Sequence, residues 1–422
     1  MPIKANMVTI ADRGPARSTP LSRIRICMPV WAAVVCSRLI VLAAGAAGAL
    51  SSNRTVGWWF FDPHRLSSSL GSVGNVLASA SVRWDSIHYL TIAEQGYRST
   101  EQPAFLPLYP LLIHVLAWLV GSDVIAAVMI SVVSFGVALS LLHRLAREEL
   151  GERAANATVL LLAFAPLSFF FTAVYTESLS LVLVVGTFYL GRGQRFGLAG
   201  LTAAGAALTH PEGVLLVAPL ALMYWRSRPQ LSGSRRLISW SALPLVLPPM
   251  ALGSFLAYLH TQGYGWFAPM SNSSLQLGGR STMTTPVVLW KSIDAGLSGL
   301  LQTLDGTRPI APNLAEPFST GFQNLVYLAV LVISVLALVA VWRRLPKEYA
   351  IYATLEILLC TWSAVAGRPL DGFDRYMLAV FPLWMGAAAW LSQRRLMPTA
   401  LQLSTVMLIF YTVEFSRWVF IA

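Results

Sequence analysis

An all-α protein that crosses a membrane many times is what this sequence predicts, on three observations. Hydrophobic residues fill 56% of its 422 positions and charged residues only 12%, about half the charged share of a soluble globular chain. Apolar runs approaching the length a bilayer requires, about 20 residues, recur from Met28 onward. The basic residues behind the formal charge of +11 sit in short loops between those runs. That is the positive-inside distribution, not a nucleic-acid-binding face, and no nucleic-acid partner is expected.

In chain order, residues 1–26 are polar and carry Lys4, Arg13, Arg17, Arg23 and Arg25, which reads as a cytoplasmic tail. Residues 27–422 read as a single transmembrane catalytic domain. The apolar run 28–50 exceeds the 7–15-residue core of a signal peptide and is expected to stay as a first span. An external loop, 51–104, follows, with Trp58, Trp59, Phe60 and Phe61 as an interfacial belt. Phe105–Val120 holds Pro107 and Pro110 and is short for a span. If it is re-entrant or interfacial, the loops with Arg192/Arg195, Arg226/Arg228/Arg235/Arg236, Arg343/Arg344/Lys347 and Arg394/Arg395 all face the cytoplasm. If it spans, every one of them flips. The first choice predicts about 11 spans: 28–50, 123–142, 155–174, 177–191, 197–209, 213–225, 237–259, 322–342, 349–366, 376–392 and 398–418. The segment 260–320 is then a second external loop. Within it, Leu289, Ile293, Leu297, Leu300, Leu301 and Leu304 repeat at helical spacing, predicting an amphipathic helix at the membrane surface.

Chemistry concentrates in Arg83-Trp84-Asp85-Ser86-Ile87-His88-Tyr89 and its continuation to Tyr97 and Tyr109. On a helix, Asp85, His88, Tyr89 and Ile92 share one face, whereas Glu94, nine residues on, is half a turn out of phase. On the predicted topology three more polar clusters fall on the same side. They are Tyr175-Thr176-Glu177-Ser178, Thr209-His210-Pro211-Glu212-Gly213, and Arg368, Asp371, Asp374, Arg375 and Tyr376. Charges at bilayer depth cost about 2.5–3.5 kcal/mol each on insertion scales, so such residues either sit in headgroup water as turn residues or are used. Their agreement in side favours use. Asp371 and Asp374 are the acids open to a divalent metal, but loop acids are ordinarily solvated, and no metal is assigned. Cys27, Cys36 and Cys360 lack metal-ligand spacing, and no P-loop, HExxH or CxxC is present, which leaves nucleotide-driven pumping and zinc proteolysis unsupported.

The segments Arg83-Trp84-Asp85-x-x-His88-Tyr89, Ile92-Ala93-x-x-Gly96-Tyr97 and Phe105-x-Pro107-Leu108-Tyr109-Pro110 resemble the second GPI mannosyltransferase (PIG-V) family and its bacterial relatives. Ala165-Pro166-x-Ser168-x-Phe170 with Tyr175-Thr176-Glu177-Ser178 is similar to another segment of that family. The sequence departs from it at Thr176, where the family has Ser, and at His210-Pro211-Glu212-Gly213, where the family has a Ser-Asn-Gly-like turn. The resemblance implies a GT-C fold in a bacterial plasma membrane, working on the external face. It also implies a polyprenyl-phosphate mannose donor, a glycan or glycolipid acceptor, and an acid serving the acceptor hydroxyl, here Asp85.

The residues suit that chemistry independently. Glycosyl transfer from a lipid phosphate needs a carboxylate to take the acceptor's proton, and cations to stabilise the departing phosphate. Arg83, His88, His210 and Arg375 are the candidates for the second role. Trp84, Tyr89, Tyr109, Tyr175, Glu177 and Glu212 complete the expected substrate-binding set. The expectation is an inverting hexosyltransferase with Asp85 as base. The alternative is a lipid or polysaccharide transporter, but the internal repeats and broken midplane helices of transporters are not visible.

Overall fold

The computed structural model describes residues 28–51, 61–231, 240–269, 281–305 and 320–421. The expected tail 1–26, the belt residues Trp58, Trp59 and Phe60, and parts of the loops at 226–236 and 260–320 lie outside the described residues. Among those described, sixteen α-helices and one two-residue strand pair make up the regular structure, with short 3-10 turns between them. Five helices are long and apolar enough to cross a membrane: Val30–Leu50, Asp123–Leu150, Ala242–Thr261 (whose first turns are 3-10), Thr320–Arg344 and Met397–Ser416. The chain is thus an all-α polytopic membrane protein.

The first half runs α1 (Met28–Leu50), α2 (Gly71–Leu77), α3 (Asp85–Gln95), α4 (Leu108–Val120), α5 (Asp123–Leu150), α6 (Glu152–Ala163), α7 (Glu177–Arg192) and α8 (Phe196–Ala207). Local signals set these limits. Gly121 ends α4 in the left-handed conformation, and the Ser122 hydroxyl accepts the Ile125 N–H to cap α5 at its start. α4 is a 13-residue helix that starts after Pro107 and carries Pro110 in its first turn. The expected span 155–174 is not one helix. α6 stops at Ala163, because Pro166 removes a donor and disfavours helix in the residue before it, and Ser168–Phe171 continues as a 3-10 turn.

The second half runs α9 (Val217–Leu231), α10 (Leu247–Thr261), α11 (Thr285–Leu304), α12 (Thr320–Arg344), α13 (Lys347–Cys360), α14 (Phe373–Ala379), α15 (Phe381–Arg394) and α16 (Met397–Ser416). The expected span 349–366 ends at Cys360, and 376–392 is divided at Val380 ahead of Pro382. The amphipathic helix expected at 287–304 is α11. Gly296 and Gly299 bury its inner side on α12, and Trp290, Leu297, Leu301 and Leu304 stay exposed. Ser281–Thr282 pairs antiparallel with Ser363–Ala364, tying the start of α11 to the loop after α13.

The most extensive apolar core runs through the bundle, and a second one surrounds α3 and α4. Phe169, Phe170, Phe171 and Tyr175 are buried in the first with Phe188, Tyr349 and Phe415. The turn between α6 and α7 therefore presents aromatic rings inward at the level where α3 begins.

Candidate active site

Asp85 is the first residue of α3, and Trp84 before it has φ 54° and ψ −118°. A positive φ at a bulky residue costs about 1–3 kcal/mol and persists only where neighbours impose it. Tyr175 is one such neighbour. Its hydroxyl donates to the Arg83 carbonyl at 3.2 Å and accepts the Asp85 N–H at 3.3 Å, spanning the strained residue.

Arg375 comes to Asp85 from α14, which begins after Gly372 in the left-handed conformation. Its Nη1 lies 3.0 Å from Asp85 Oδ2, and its Nε lies 3.3 Å from Glu177 Oε1. The guanidinium also packs over the rings of Phe170, Tyr175 and Tyr376, 5.5–5.7 Å from their centroids. One cation therefore serves two carboxylates inside an aromatic cage. Glu177 Oε2 is buried and has no hydrogen-bond partner among the described residues. A buried polar atom left unpaired is costly, by about 1–3 kcal/mol.

His210 and Glu212 complete the cluster. His210 is extended at the end of α8 and Pro211 starts a 3-10 turn, so the two side chains meet, His210 Nδ1 against Glu212 Oε2. Gly213 makes this turn possible, since a Cβ there would lie 2.3 Å from the Ala206–Ala207 peptide. Burial acts to lower the His210 pKa, but the Glu212 carboxylate outweighs it and holds the imidazole above its ordinary 6.5. His210 feels the charges of Glu177 and Arg375. Beside Arg375, burial pushes Asp374 up to about 7.

The structure thus brings Asp85, Tyr175, Glu177, His210, Glu212 and Arg375 together. Tyr89 joins their edge, its hydroxyl 3.4 Å from Thr176 Oγ1. Other expected residues are placed differently. The Arg83 guanidinium donates to the carbonyls of Ser416 and Val82, and the Trp84 indole donates to the Val419 carbonyl. His88 stacks on Phe105 at 4.7 Å. Tyr109 is fully buried, with its hydroxyl against Ser131 and the Ala127 carbonyl. Glu94 faces away from Asp85, into a cavity of about 490 Å3 that it lines with His114 and Asp123.

For a metal, Asp371 lies 3.4 Å from Arg368, and no group of three or more His, Cys, Asp and Glu among the described residues is arranged to hold an ion. Sequence reasoning missed Glu356. It is buried on α13 and within reach of the Glu212 charge. A carboxylate inside the apolar run 350–360 was the available signal.

Residues 33–227 match the family model described as Mannosyltransferase (PIG-V). "GPI alpha-1,6-mannosyltransferase 2" of Rattus norvegicus is 31% identical over 166 residues, covering 34% of this chain and 33% of that protein. The protein of the same name from Mus musculus is 29% identical over 249 residues, covering 51% and 48%. The chain thus spans about half or less of the length of these curated relatives. Among solved structures, ArnT of Cupriavidus metallidurans bound to undecaprenyl phosphate matches with TM-score 0.47 and 13% identity, over 92% of this chain and 76% of that one. The Archaeoglobus fulgidus oligosaccharyltransferase tethered to an acceptor peptide matches with TM-score 0.43 and 14% identity, over 92% and 55%. From residue 33 to residue 227, this chain is similar to the PIG-V mannosyltransferases.

Proposed function

We propose that the protein is a GT-C-type membrane glycosyltransferase that moves a mannosyl unit from polyprenyl-phosphate mannose to a glycan or glycolipid acceptor, inverting the anomeric centre. The observation that carries this reading is the Asp85–Arg375–Glu177 cluster, two of whose members, Asp85 and Glu177, lie in the segment similar to mannosyltransferases. Asp85 is its accessible acid, with 32% of its side chain exposed against 8% for Glu177. Arg375 engages Oδ2 of Asp85, which leaves Oδ1 to receive a hydroxyl proton. As that proton passes to Oδ1, the acceptor oxygen bonds the anomeric carbon. The bond from that carbon to the phosphate oxygen breaks, and the lipid phosphate leaves with the electron pair. Arg375, and His210 when it carries a proton, are the cationic groups of the cluster available to offset charge building on the phosphate. A single displacement of this kind needs one base, because phosphate is already a good leaving group.

The reading places this end of the molecule on the external face, since Arg192, Arg226, Arg343 and Arg344 lie at the other. The test is incubation of purified protein with labelled polyprenyl-phosphate mannose and a panel of glycolipid acceptors. Label appearing in an acceptor is expected. Movement of intact lipid across a bilayer with no transfer would give the function to the transporter alternative. Sidedness is tested by cysteines at Arg98 and Lys347. An impermeant thiol reagent on intact cells should label the first alone.

A further inference from the structure

We propose that Trp418-Val419-Phe420, the segment after α16, is a clamp that positions Asp85. The proposal rests on Asp85 being the base. Its starting observation is the backbone of Trp84, whose φ of 54° is one that a tryptophan does not adopt unaided. The conformation decides where Asp85 points, because Trp84 is the hinge between the Arg83 carbonyl and the first turn of α3.

Besides Phe61, whose ring meets the Trp84 indole edge-on at 4.6 Å, two grips from distant parts of the chain hold it. Tyr175 bridges the backbone on either side of Trp84. The second grip comes from more than 330 residues away in sequence. The Trp84 indole donates to the Val419 carbonyl at 3.2 Å, and its ring meets Trp418 and Phe420 edge-on, at 5.8 and 5.4 Å. Arg83 is fixed by the same segment, donating to the Ser416 carbonyl at 3.0 Å with its guanidinium 4.9 Å over the Trp418 ring. Both residues preceding Asp85 are therefore anchored on residues 416–420. That segment lies beyond the residues 33–227 that match the family model. Trp84 and Arg83 thus act through Asp85 rather than on substrate. Phe420 is the residue to vary, since it is only partly buried, whereas Trp418 is fully enclosed.

The experiment compares wild type, Phe420→Ala, Phe420→Tyr and Trp84→Phe, reading transfer kinetics, thermal melts and hydrogen exchange of residues 83–90. Phe420→Ala is expected to lower kcat about tenfold with KM within about twofold, since small misplacements of a reacting group carry rate losses of this order and more. Exchange at the Ser86 and Ile87 amides should rise while Tm stays near wild type. Phe420→Tyr should restore kcat, and Trp84→Phe, which keeps the ring but loses the bond to Val419, should fall between. Unchanged exchange at 83–90, or a kcat loss matched by a fall in the folded fraction, overturns the clamp. If wild type itself transfers nothing, the reading of Asp85 as base falls. The exchange arm then still decides whether residues 418–420 hold the start of α3.

Discussion

The two ends of α7 carry charge clusters of similar composition and opposite character. At its C-terminus Arg192 meets Glu149 of α5 at 2.8 Å and Glu348 of α13 at 3.3 Å, and Arg226 of α9 meets the other Glu348 oxygen at 2.7 Å. Tyr349 adds a hydrogen bond to Glu149. Both oxygens of buried Glu348 are satisfied, by two arginines that each retain contact with solvent. At the N-terminus, about 22 Å away by helical rise, one arginine serves two carboxylates, and Glu177 Oε2 has no partner among the described residues. A saturated network ties helices together. An unsaturated one keeps polar capacity for something else, and that difference supports the proposal that chemistry takes place at the Asp85 end.

The comparison is broken most directly at Asp85. Asp85→Asn keeps size and a carbonyl acceptor but takes no proton at neutral pH, and single-turnover transfer should fall at least about 100-fold with the melt unchanged. Near-wild-type transfer would remove Asp85 from the mechanism. Next in effect is Arg375→Leu, which strands Asp85 and Glu177 without a cation. Loss of one partner of a buried pair costs about 3–5 kcal/mol, so denaturant melts should show stability and transfer failing together. At the other end, Glu348→Gln should lower stability by about 1–3 kcal/mol while the folded fraction transfers at the wild-type rate. A fall in its kcat would erase the distinction between the two ends.

Asp374 sharpens the contrast through pH. Its folded pKa, about 7 through burial, lies above its ordinary 3.8. The sign follows from linkage: its contribution is fully present below the unfolded value and is lost as pH rises through the folded one. Melting temperature should therefore decline between about pH 4 and 7 and level off above that, and Asp374→Asn should flatten the decline. The smallest effect belongs to Glu94→Gln. Glu94 is exposed at the far end of α3, and the loss of an exposed charge is worth about 0–1 kcal/mol. Transfer within about twofold of wild type is expected, and a large loss there would move the base from Asp85 to Glu94.

The sequence by itself determined the class of the molecule and pointed to the neighbourhood of the candidate site. Apolar runs report their own preference for lipid whatever they pack against, so α1, α5, α12 and α16 begin within two residues of their expected positions. The density of Arg83–Tyr89 singled out Asp85 for the same reason, because charge is costly beside a membrane wherever the rest of the chain lies. Helix phase likewise turned Glu94 away from it. What the sequence did not determine were contacts between residues far apart in the chain. Arg375 reaches Asp85 across 290 positions, and Val419 reaches Trp84 across 335. Arg83, Trp84 and Tyr109 read as substrate residues because a motif gives composition without direction. Only packing showed Tyr109 enclosed in the core and Arg83 and Trp84 turned to residues 416–420. Long-range pairing depends on how helices stack, and no local pattern carries that; here it decided which polar groups meet at Asp85 and what holds them there.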